Sequence, residues 1–196
     1  YMQDLITWSA IGARTTESQA HREMASGLSM PVGFKNGTAG SIQIAADAVY
    51  AASQPHRFLG VTQEGLAAIV ETEGNPHSHI ILRGGSSGTN FDQASVDETM
   101  RLQAKHGVHS SVMIDASHGN SQKDHSKQKS VLANICEQIS ISNDVFGVMI
   151  ESNLVAGNQN INAKPLKYGQ SVTDACVDFD ETIEMLEMLS EAVQTR

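Results

Sequence analysis

The sequence predicts an α/β fold built on a parallel β-sheet. Short apolar segments alternate with longer segments whose apolar residues recur at helical spacing, and such alternation requires crossover helices between parallel strands. Polar and charged residues follow each apolar segment, at the point where a strand would end. This pattern favours a barrel over a doubly wound sheet, because a barrel gathers the carboxyl ends of all its strands into one ring.

Five apolar segments are predicted to be the strands of this sheet. They cover residues 5–12, 31–34, 78–82, 112–114 and 146–150. A complete eight-stranded barrel typically needs about 250 residues, and this chain has 196. We therefore predict a partial TIM (β/α)8 barrel with flanking helices, in which residues 1–196 form a single domain.

Five further segments are predicted to be helices. They cover residues 18–26, 41–53, 95–106, 128–140 and 180–193. The second of them carries Ile42, Ala45, Ala46 and Val49 on one face at helical spacing. Residues 58–61 and 65–70 are ambiguous, and a small hairpin outside the main sheet is one interpretation. The segment with Pro165 and Gly169 is predicted to be a loop.

Composition limits the classes of partner and compartment. The net charge is −9, and the 13 basic residues form no basic run, so we expect no nucleic acid as a partner. No apolar run approaches the ~20 residues of a membrane span, so we expect no membrane. Cys136 and Cys176 lie in patterns that look helical and offer no disulfide framework. We therefore expect a reducing, cytoplasmic location.

Three basic residues stand just past three different predicted strands. They are Arg14, Lys35 and Arg83, and glycines follow Lys35 and Arg83 closely. Cations that converge at one end of a sheet, with glycine backbone nearby, suit a phosphate or a carboxylate ligand. The alternative is that each is a surface cation paired with a carboxylate.

A second group combines one imidazole with two carboxylates. His118 and Glu151 follow predicted strands, and Asp174 lies in the last loop. This mixed nitrogen and oxygen set suits a divalent metal such as Mn, Fe, Co or Zn. No two of the three share a local metal-binding motif, so a hydrogen-bonded loop histidine is the alternative interpretation.

Other aspartate, histidine and methionine residues are predicted to have structural roles or to lie at the surface. Asp115 is either a partner that orients His118 or a lysine, or an aspartate that stabilises a turn by accepting backbone N–H groups. Five other histidines are predicted to be at the surface or solvated. These are His77, His79, His106, His109 and His125. Met185 and Met188 are predicted to pack in the core.

Six separated motifs resemble those of one enzyme family and occur in the family's order. They are WSAIGARTTES (8–18), PVGFKNGT (31–38), HIILRGG (79–85), IDASHGNSQKD (114–124), GVMIESNLVAGNQ (147–159) and YGQSVTDACVDF (168–179). On these motifs essentially the whole chain resembles the type I 3-deoxy-D-arabino-heptulosonate 7-phosphate (DAHP) synthases. The resemblance implies strands 4 to 8 of a TIM barrel. It also implies condensation of phosphoenolpyruvate with erythrose 4-phosphate, with release of inorganic phosphate, at the first step of the shikimate pathway.

The resemblance also implies a role for each candidate residue. Arg14 of GAR, Lys35 of FKNGT and Arg83 of LRGG would bind phosphoenolpyruvate, and Lys35, Arg83 and His118 would be catalytic. His118 of SHGN, Glu151 of IES and Asp174 of VTDAC match three of the family's four metal ligands. The fourth ligand, a cysteine in a GPCS motif, has no counterpart in this sequence, and neither has the family's KPRT segment.

An incomplete barrel would leave two parallel strand edges unpaired, which natural folds avoid. We therefore expect either a piece of a longer enzyme or edges that another chain masks, and we expect a homo-oligomer. The alternative function is an inactive fragment that only binds anions or metal and self-associates. A further alternative is the related synthase of 3-deoxy-D-manno-octulosonate 8-phosphate. The motifs RTTES, FKNGT and SHGNSQKD favour the heptulosonate enzymes instead.

Overall fold

Strands and helices alternate along most of the chain, for which a computed structural model describes residues 5–62 and 64–196. In chain order the elements are β1 (Ser9–Ile11), α1 (Gln19–Ser26), β2 (Val32–Lys35), α2 (Ile42–Ala52), β3 (His56–Val61), β4 (Ala67–Thr72), β5 (His79–Leu82), α3 (Gln93–Lys105), β6 (Val112–Asp115), α4 (Gln128–Ile141), β7 (Val145–Met149), β8 (Val155–Asn158), β9 (Gln170–Ser171) and α5 (Phe179–Gln194). A short 3-10 turn, His125–Lys127, precedes α4.

The central sheet has five strands in the order β1-β2-β5-β6-β7, and every neighbouring pair is parallel. The register pairs Phe34 with Ile80 and Leu82 with Ile114. The predicted α/β class and the predominantly parallel sheet are confirmed. The first strand is shorter than its predicted range of residues 5–12, because Leu5 and Ile6 face solvent instead of the core.

The three inner strands form the centre of the hydrophobic core. Their fully buried apolar side chains are Val32, Phe34, Ile80, Ile81, Leu82, Val112 and Ile114. Helix α2 presents small residues to this sheet, with Ala45, Ala48 and Val49 buried. Because alanine allows a helix to approach closely, α2 packs directly on β2 and β5. Helix α5 packs on α4, where Met185 is fully buried as predicted and Met188 is half-buried.

His79 is buried, contrary to its predicted place at the surface. Its Nε2 accepts a hydrogen bond of 3.1 Å from the Trp8 indole, and its ring meets Phe146 edge-on at a centroid distance of 4.8 Å. Burial lowers the pKa of this imidazole. The prediction was wrong because β5 is covered on both faces, so exposure does not alternate along it. His77, two residues earlier, is exposed as predicted.

Two small sheets lie outside the central one. The ambiguous segment forms an antiparallel hairpin of β3 and β4, which confirms the hairpin interpretation. Leu59 and Ile69 are paired on its exposed face. The predicted loop after β7 instead contains the short parallel pair β8 and β9. Strand β9 has only two residues, which is too short for any periodic pattern to indicate it.

The five predicted helices are confirmed with ends that differ by at most two residues. Asp92 caps α3 by accepting a bond from Ser95 N, and Asp178 caps α5 by accepting one from Glu181 N. Cys136 lies in α4, but Cys176 lies outside any helix, in a bridge to Gly157. Both thiols are free.

Among the described residues, no helix combines the length and apolar character needed to cross a bilayer.

The core makes a direct prediction about Phe34. Replacing Phe34 with Ala should lower the free energy of unfolding by about 3–5 kcal/mol, because a fully buried aromatic ring is lost from the middle of the sheet. The matched control is Phe179→Ala on α5, where the ring is 56% exposed and the expected loss is under about 1 kcal/mol. Chemical denaturation of the three proteins gives the comparison. Equal losses in both variants would contradict the assigned core.

Candidate active site at the carboxyl end of the sheet

Loops that follow the strands of the central sheet line one cleft of about 590 Å³. Its lining residues are Arg14, Thr38, Arg83, Gly85, Ser86, Gly88, His118, Gly119, Ser121, Gln122, Lys123, Glu151, Asp174 and Ala175. They come from the segments after β1, β2, β5, β6, β7 and β9. Parallel pairing explains this convergence, because it places all the carboxyl ends of the sheet at the same edge.

The structure brings all six candidate residues into this region. Five of them line the cleft directly, namely Arg14, Arg83, His118, Glu151 and Asp174. Lys35 lies at the end of β2 and is connected to the others through Asp115, the last residue of β6.

Asp115 is the buried carboxylate of the site, and it is fully inaccessible to solvent. Its Oδ2 lies 2.8 Å from Lys35 Nζ and 2.9 Å from His118 Nδ1. Its Oδ1 accepts bonds of 2.9 Å from Ser117 N and 2.7 Å from Ser117 Oγ. The aspartate therefore makes both predicted kinds of contact, one with the histidine and the lysine and one with a backbone N–H.

The surroundings shift the pKa values of buried Asp115 and half-buried Glu151 in opposite directions. Burial alone would raise the pKa of Asp115, but the hydrogen bond from His118 and the charges of Lys35 and His118 outweigh it, and the pKa falls to about 2. Burial raises the pKa of Glu151, and the neighbouring carboxylates of Asp115 and Asp174 raise it further, against the opposing charges of His118 and Lys35.

His118, Glu151 and Asp174 form a cluster whose candidate ligand atoms all lie within 4.8 Å of one another. The Nε2 of His118 is 3.4 Å from Glu151 Oε1. One imidazole nitrogen and two carboxylates fit a divalent transition metal better than Ca²⁺, which prefers oxygen ligands alone. The donor set is therefore suited to the predicted metal. Cys176, close to this cluster, has its pKa raised by burial and by the charge of Glu151.

Two arginines of the cleft have no carboxylate partner within the described parts of the chain. Arg14 is exposed and Arg83 is half-buried, and neither forms an ion pair there. The alternative interpretation of ordinary paired surface cations therefore does not describe these two residues. Two such guanidinium groups on different loops of one cleft suit an anionic ligand, because each can donate to two oxygens.

Three buried asparagines, which the sequence analysis missed, fix the loops behind the cleft. Asn36 Oδ1 accepts from Arg83 N at 2.7 Å, and Asn90 Oδ1 accepts from Gly84 N at 2.6 Å. Asn120 donates to the carbonyl of Asp115 at 2.9 Å and accepts from Asn90 N at 2.8 Å. These bonds tie the segments after β2, β5 and β6 together. Their sequence signal, an asparagine shortly after a strand, resembles that of any turn.

Two of these loops touch through glycine backbone. A Cβ added at Gly84, where φ is +67°, would lie 2.5 Å from the carbonyl carbon of Gly119. No larger residue fits there without moving a loop. The sequence analysis also did not predict several polar residues of the cleft. They are Thr38, Ser86, Ser121, Gln122 and Lys123. The available signal for Ser121, Gln122 and Lys123 was that they share a loop with His118.

The depressed pKa of Asp115 predicts a stability that depends on pH. A carboxyl group with a lowered folded-state pKa contributes stability above its unfolded pKa near 3.8, and this contribution is lost as pH falls toward about 2. We compare the free energy of unfolding of the natural protein with that of Asp115→Asn. The difference between them should shrink by about 2 kcal/mol as the pH falls from about 5 to about 2. Denaturant unfolding at several pH values measures it. A difference that stays constant across this range would contradict the assignment.

Comparison with known proteins covers the whole chain. Residues 1–187 match the model of the DAHP synthetase I family. The chain is 54% identical over 205 residues to a phospho-2-dehydro-3-deoxyheptonate aldolase of Corynebacterium glutamicum, covering 100% of this chain and 55% of that protein. It is 52% identical over 198 residues to the Phe-sensitive aldolase of the same name from Escherichia coli K12, covering 100% of this chain and 56% of that protein.

A solved structure agrees with these sequence matches. The phospho-2-dehydro-3-deoxyheptonate aldolase of Francisella tularensis SCHU S4 superposes with a TM-score of 0.97 at 65% identity, over 99% of this chain and 57% of that one. The chain thus spans a little over half the length of the relatives it matches. Since the family model matches nearly all of its residues, the chain belongs to the DAHP synthetase I family.

Proposed function

We propose that this chain carries the larger part of the active site of a DAHP synthase, which condenses phosphoenolpyruvate with erythrose 4-phosphate and releases inorganic phosphate. The observation that carries the proposal is one cleft lined by a histidine, two carboxylates and two arginines that have no ion-pair partner among residues 5–62 and 64–196. The names of the relatives from Corynebacterium glutamicum and Escherichia coli support the same reaction class.

The proposal extends to the fold, as strands 4 to 8 of a TIM barrel within one domain. Support comes from five parallel strands joined by helices, with polar residues at every carboxyl end. Strands β1 and β7 form the two edges of this sheet. Closing a barrel removes such edges, so the remaining strands would come from a longer gene product or from another chain.

In this proposal Arg14, Lys35 and Arg83 bind phosphoenolpyruvate. The two guanidinium groups suit bidentate contacts with phosphate or carboxylate oxygens. Lys35 uses one ammonium hydrogen for Asp115, and two donors remain for the substrate. Held in this way, phosphoenolpyruvate would present its methylene carbon to the aldehyde of the second substrate.

His118, Glu151 and Asp174 would hold a divalent metal, with Mn, Fe, Co and Zn as the candidates. A metal bound there would supply Lewis-acid activation of the erythrose 4-phosphate aldehyde. Lys35 and Arg83 would stabilise the negative charge of the phosphate that leaves after water adds at the enol carbon. The catalytic roles thus fall to Lys35, Arg83 and His118.

We also propose that the protein is a cytoplasmic homo-oligomer. Two free thiols support a reducing compartment. The exposed apolar residues of the β3–β4 hairpin, among them Leu59, Val61 and Ile69, support association between protein surfaces.

A second candidate function is that of an inactive fragment that binds anions or metal and self-associates. Two observations favour it for the isolated chain: the edge strands β1 and β7 have no second partner in the part of the chain that the structure describes, and the chain spans 55% of a relative. With Mn²⁺ and both substrates, the 196-residue chain should consume no phosphoenolpyruvate, whereas a longer gene product that contains it should do so. Turnover by the 196-residue chain alone would exclude this candidate.

The assignment of Arg83 is tested in whichever form of the protein turns over. Arg83→Ala should lower kcat/KM for phosphoenolpyruvate by at least about 100-fold, because it removes a cation from the phosphate site. The matched control is Arg101→Ala on α3, whose guanidinium is paired with Glu98 at the surface and whose loss should change kcat/KM little. Near-normal activity of Arg83→Ala would count against the proposed function.

The metal site predicts a selective loss of affinity. Glu151→Gln should weaken Mn²⁺ binding at least about 10-fold, because the amide that replaces the carboxylate carries no negative charge to attract the cation. The raised pKa of Glu151 also predicts weaker binding as pH falls toward that pKa. Glu137→Gln, at an exposed position of α4, is the control and should bind as the natural protein does. Calorimetric titration measures both, and equal affinity in the two variants would remove Glu151 from the site.

A further inference from the structure

Four hydrogen-bond donors converge on the buried carboxylate of Asp115. Lys35 Nζ and His118 Nδ1 approach Oδ2, at 2.8 Å and 2.9 Å. The backbone N–H and the hydroxyl of Ser117 donate to Oδ1, at 2.9 Å and 2.7 Å. An ionised carboxylate is an acceptor at both oxygens, so it satisfies all four donors.

An asparagine at this position would leave part of the arrangement unsatisfied. Its side chain has one acceptor oxygen and one NH₂ donor. If the oxygen faced Lys35 and His118, the NH₂ group would face the two donors of Ser117, and the reverse orientation would place it against Lys35 and His118. Buried donors without acceptors are costly, so the site requires an aspartate.

The contacts of Nδ1 indicate which nitrogen of His118 carries the proton. Nδ1 lies 2.9 Å from Asp115 Oδ2 and 2.7 Å from Ser117 Oγ, whose hydroxyl hydrogen is committed to Asp115 Oδ1. Both neighbours therefore offer lone pairs to Nδ1. A hydrogen on Nδ1 satisfies this geometry, whereas an unprotonated Nδ1 would face two acceptors. In the neutral ring the lone pair then lies on Nε2, which points toward Glu151 at 3.4 Å.

The backbone of His118 is held in an unfavourable conformation that keeps the ring in this place. Its φ is +50°, in the left-handed region that non-glycine residues rarely adopt. Bonds from Gly119 N to Arg83 O at 3.0 Å and from Lys123 N to His118 O at 2.7 Å fix the loop on both sides. Strained residues persist where the surrounding structure determines their position. Here the backbone bonds hold the loop, and the contact with Asp115 holds the side chain of His118.

We propose that Asp115 is a positioning residue that holds His118 as the Nδ1-protonated tautomer, with Nε2 directed at the cluster of Glu151 and Asp174. Lys35 supplies the buried counter-charge through the same oxygen. This inference rests on the proposed function only in that His118 serves as a metal ligand there. The availability of Nε2 would then depend on a carboxylate that is not one of the three candidate metal ligands.

The first test reads the tautomer in the unmodified chain and uses a substitution only to assign the signal. Long-range ¹H–¹⁵N NMR of the unmodified chain, at a pH where the imidazoles are neutral, distinguishes protonated from unprotonated ring nitrogens, and loss of a signal in His118→Gln assigns the residue. The expected pattern is a protonated Nδ1 and an unprotonated Nε2. A protonated Nε2 would overturn the proposal. Because the measurement uses the natural chain, it remains decisive if an Asp115 variant fails to fold.

The second test compares Asp115→Asn with Asp124→Asn. Asp124 lies farther along the same segment and accepts from Ser126 N at 3.1 Å, so asparagine can replace it with the same change of charge. In Asp115→Asn the tautomer of His118 should shift toward Nε2–H, and Co²⁺ affinity should fall about 10–100-fold, as for the loss of other carboxylates that orient metal-binding histidines. Asp124→Asn should change neither. An unchanged tautomer, or Co²⁺ affinity within about threefold of the natural protein, would overturn the proposal.

The two readouts separate this inference from the proposed function. In one outcome the unmodified chain binds no Co²⁺ but shows the Nδ1–H tautomer, and Asp115→Asn no longer shows that tautomer. The positioning role of Asp115 is then supported, and the metal-binding role of the cluster is wrong. If Co²⁺ binds and the tautomer is Nε2–H, the metal role survives and the positioning role of Asp115 is wrong.

Discussion

Parallel pairing of the five central strands is the constraint on which the rest of this structure depends. It gives every strand the same direction, so the segments after β1, β2, β5, β6 and β7 emerge at one edge. Residues far apart in the chain thereby share one cleft, as Arg14 and Glu151 do. Parallel pairing also requires connections that cross over the sheet, and helices form most of these connections here.

Parallel strands bring loops to the same edge but do not fix their conformations. Buried polar contacts do that here. Asn36, Asn90 and Asn120 satisfy backbone groups of three different loops, and glycine at positions 84 and 119 lets two of those loops touch. In a low-dielectric interior such bonds are costly to break, so the loops that carry Arg83 and His118 are tied to a common frame. Preorganised geometry of this kind is what electrostatic catalysis requires.

Charge is distributed unevenly across the cleft. Arg14 and Arg83 stand on one set of loops, and Glu151 and Asp174 stand on another, beside His118. Asp115 joins the two groups, because one of its oxygens contacts both Lys35 and His118. The cleft therefore presents cationic and anionic side chains together, while the chain as a whole has a net charge of −9.

The sequence by itself determined the α/β class, the five strands, the five helices and the residues that follow each strand, because these depend on local periodicity and on the direction of parallel strands. Only the tertiary structure decided which side chains meet. Lys35 and Asp115 are separated by 80 positions in the chain. His79 is buried although it was predicted to be at the surface, and the bonds of Asn90 reach Asn36 and Asn120 in two other loops. Such contacts depend on how distant segments pack against one another, and a local sequence pattern does not predict that packing.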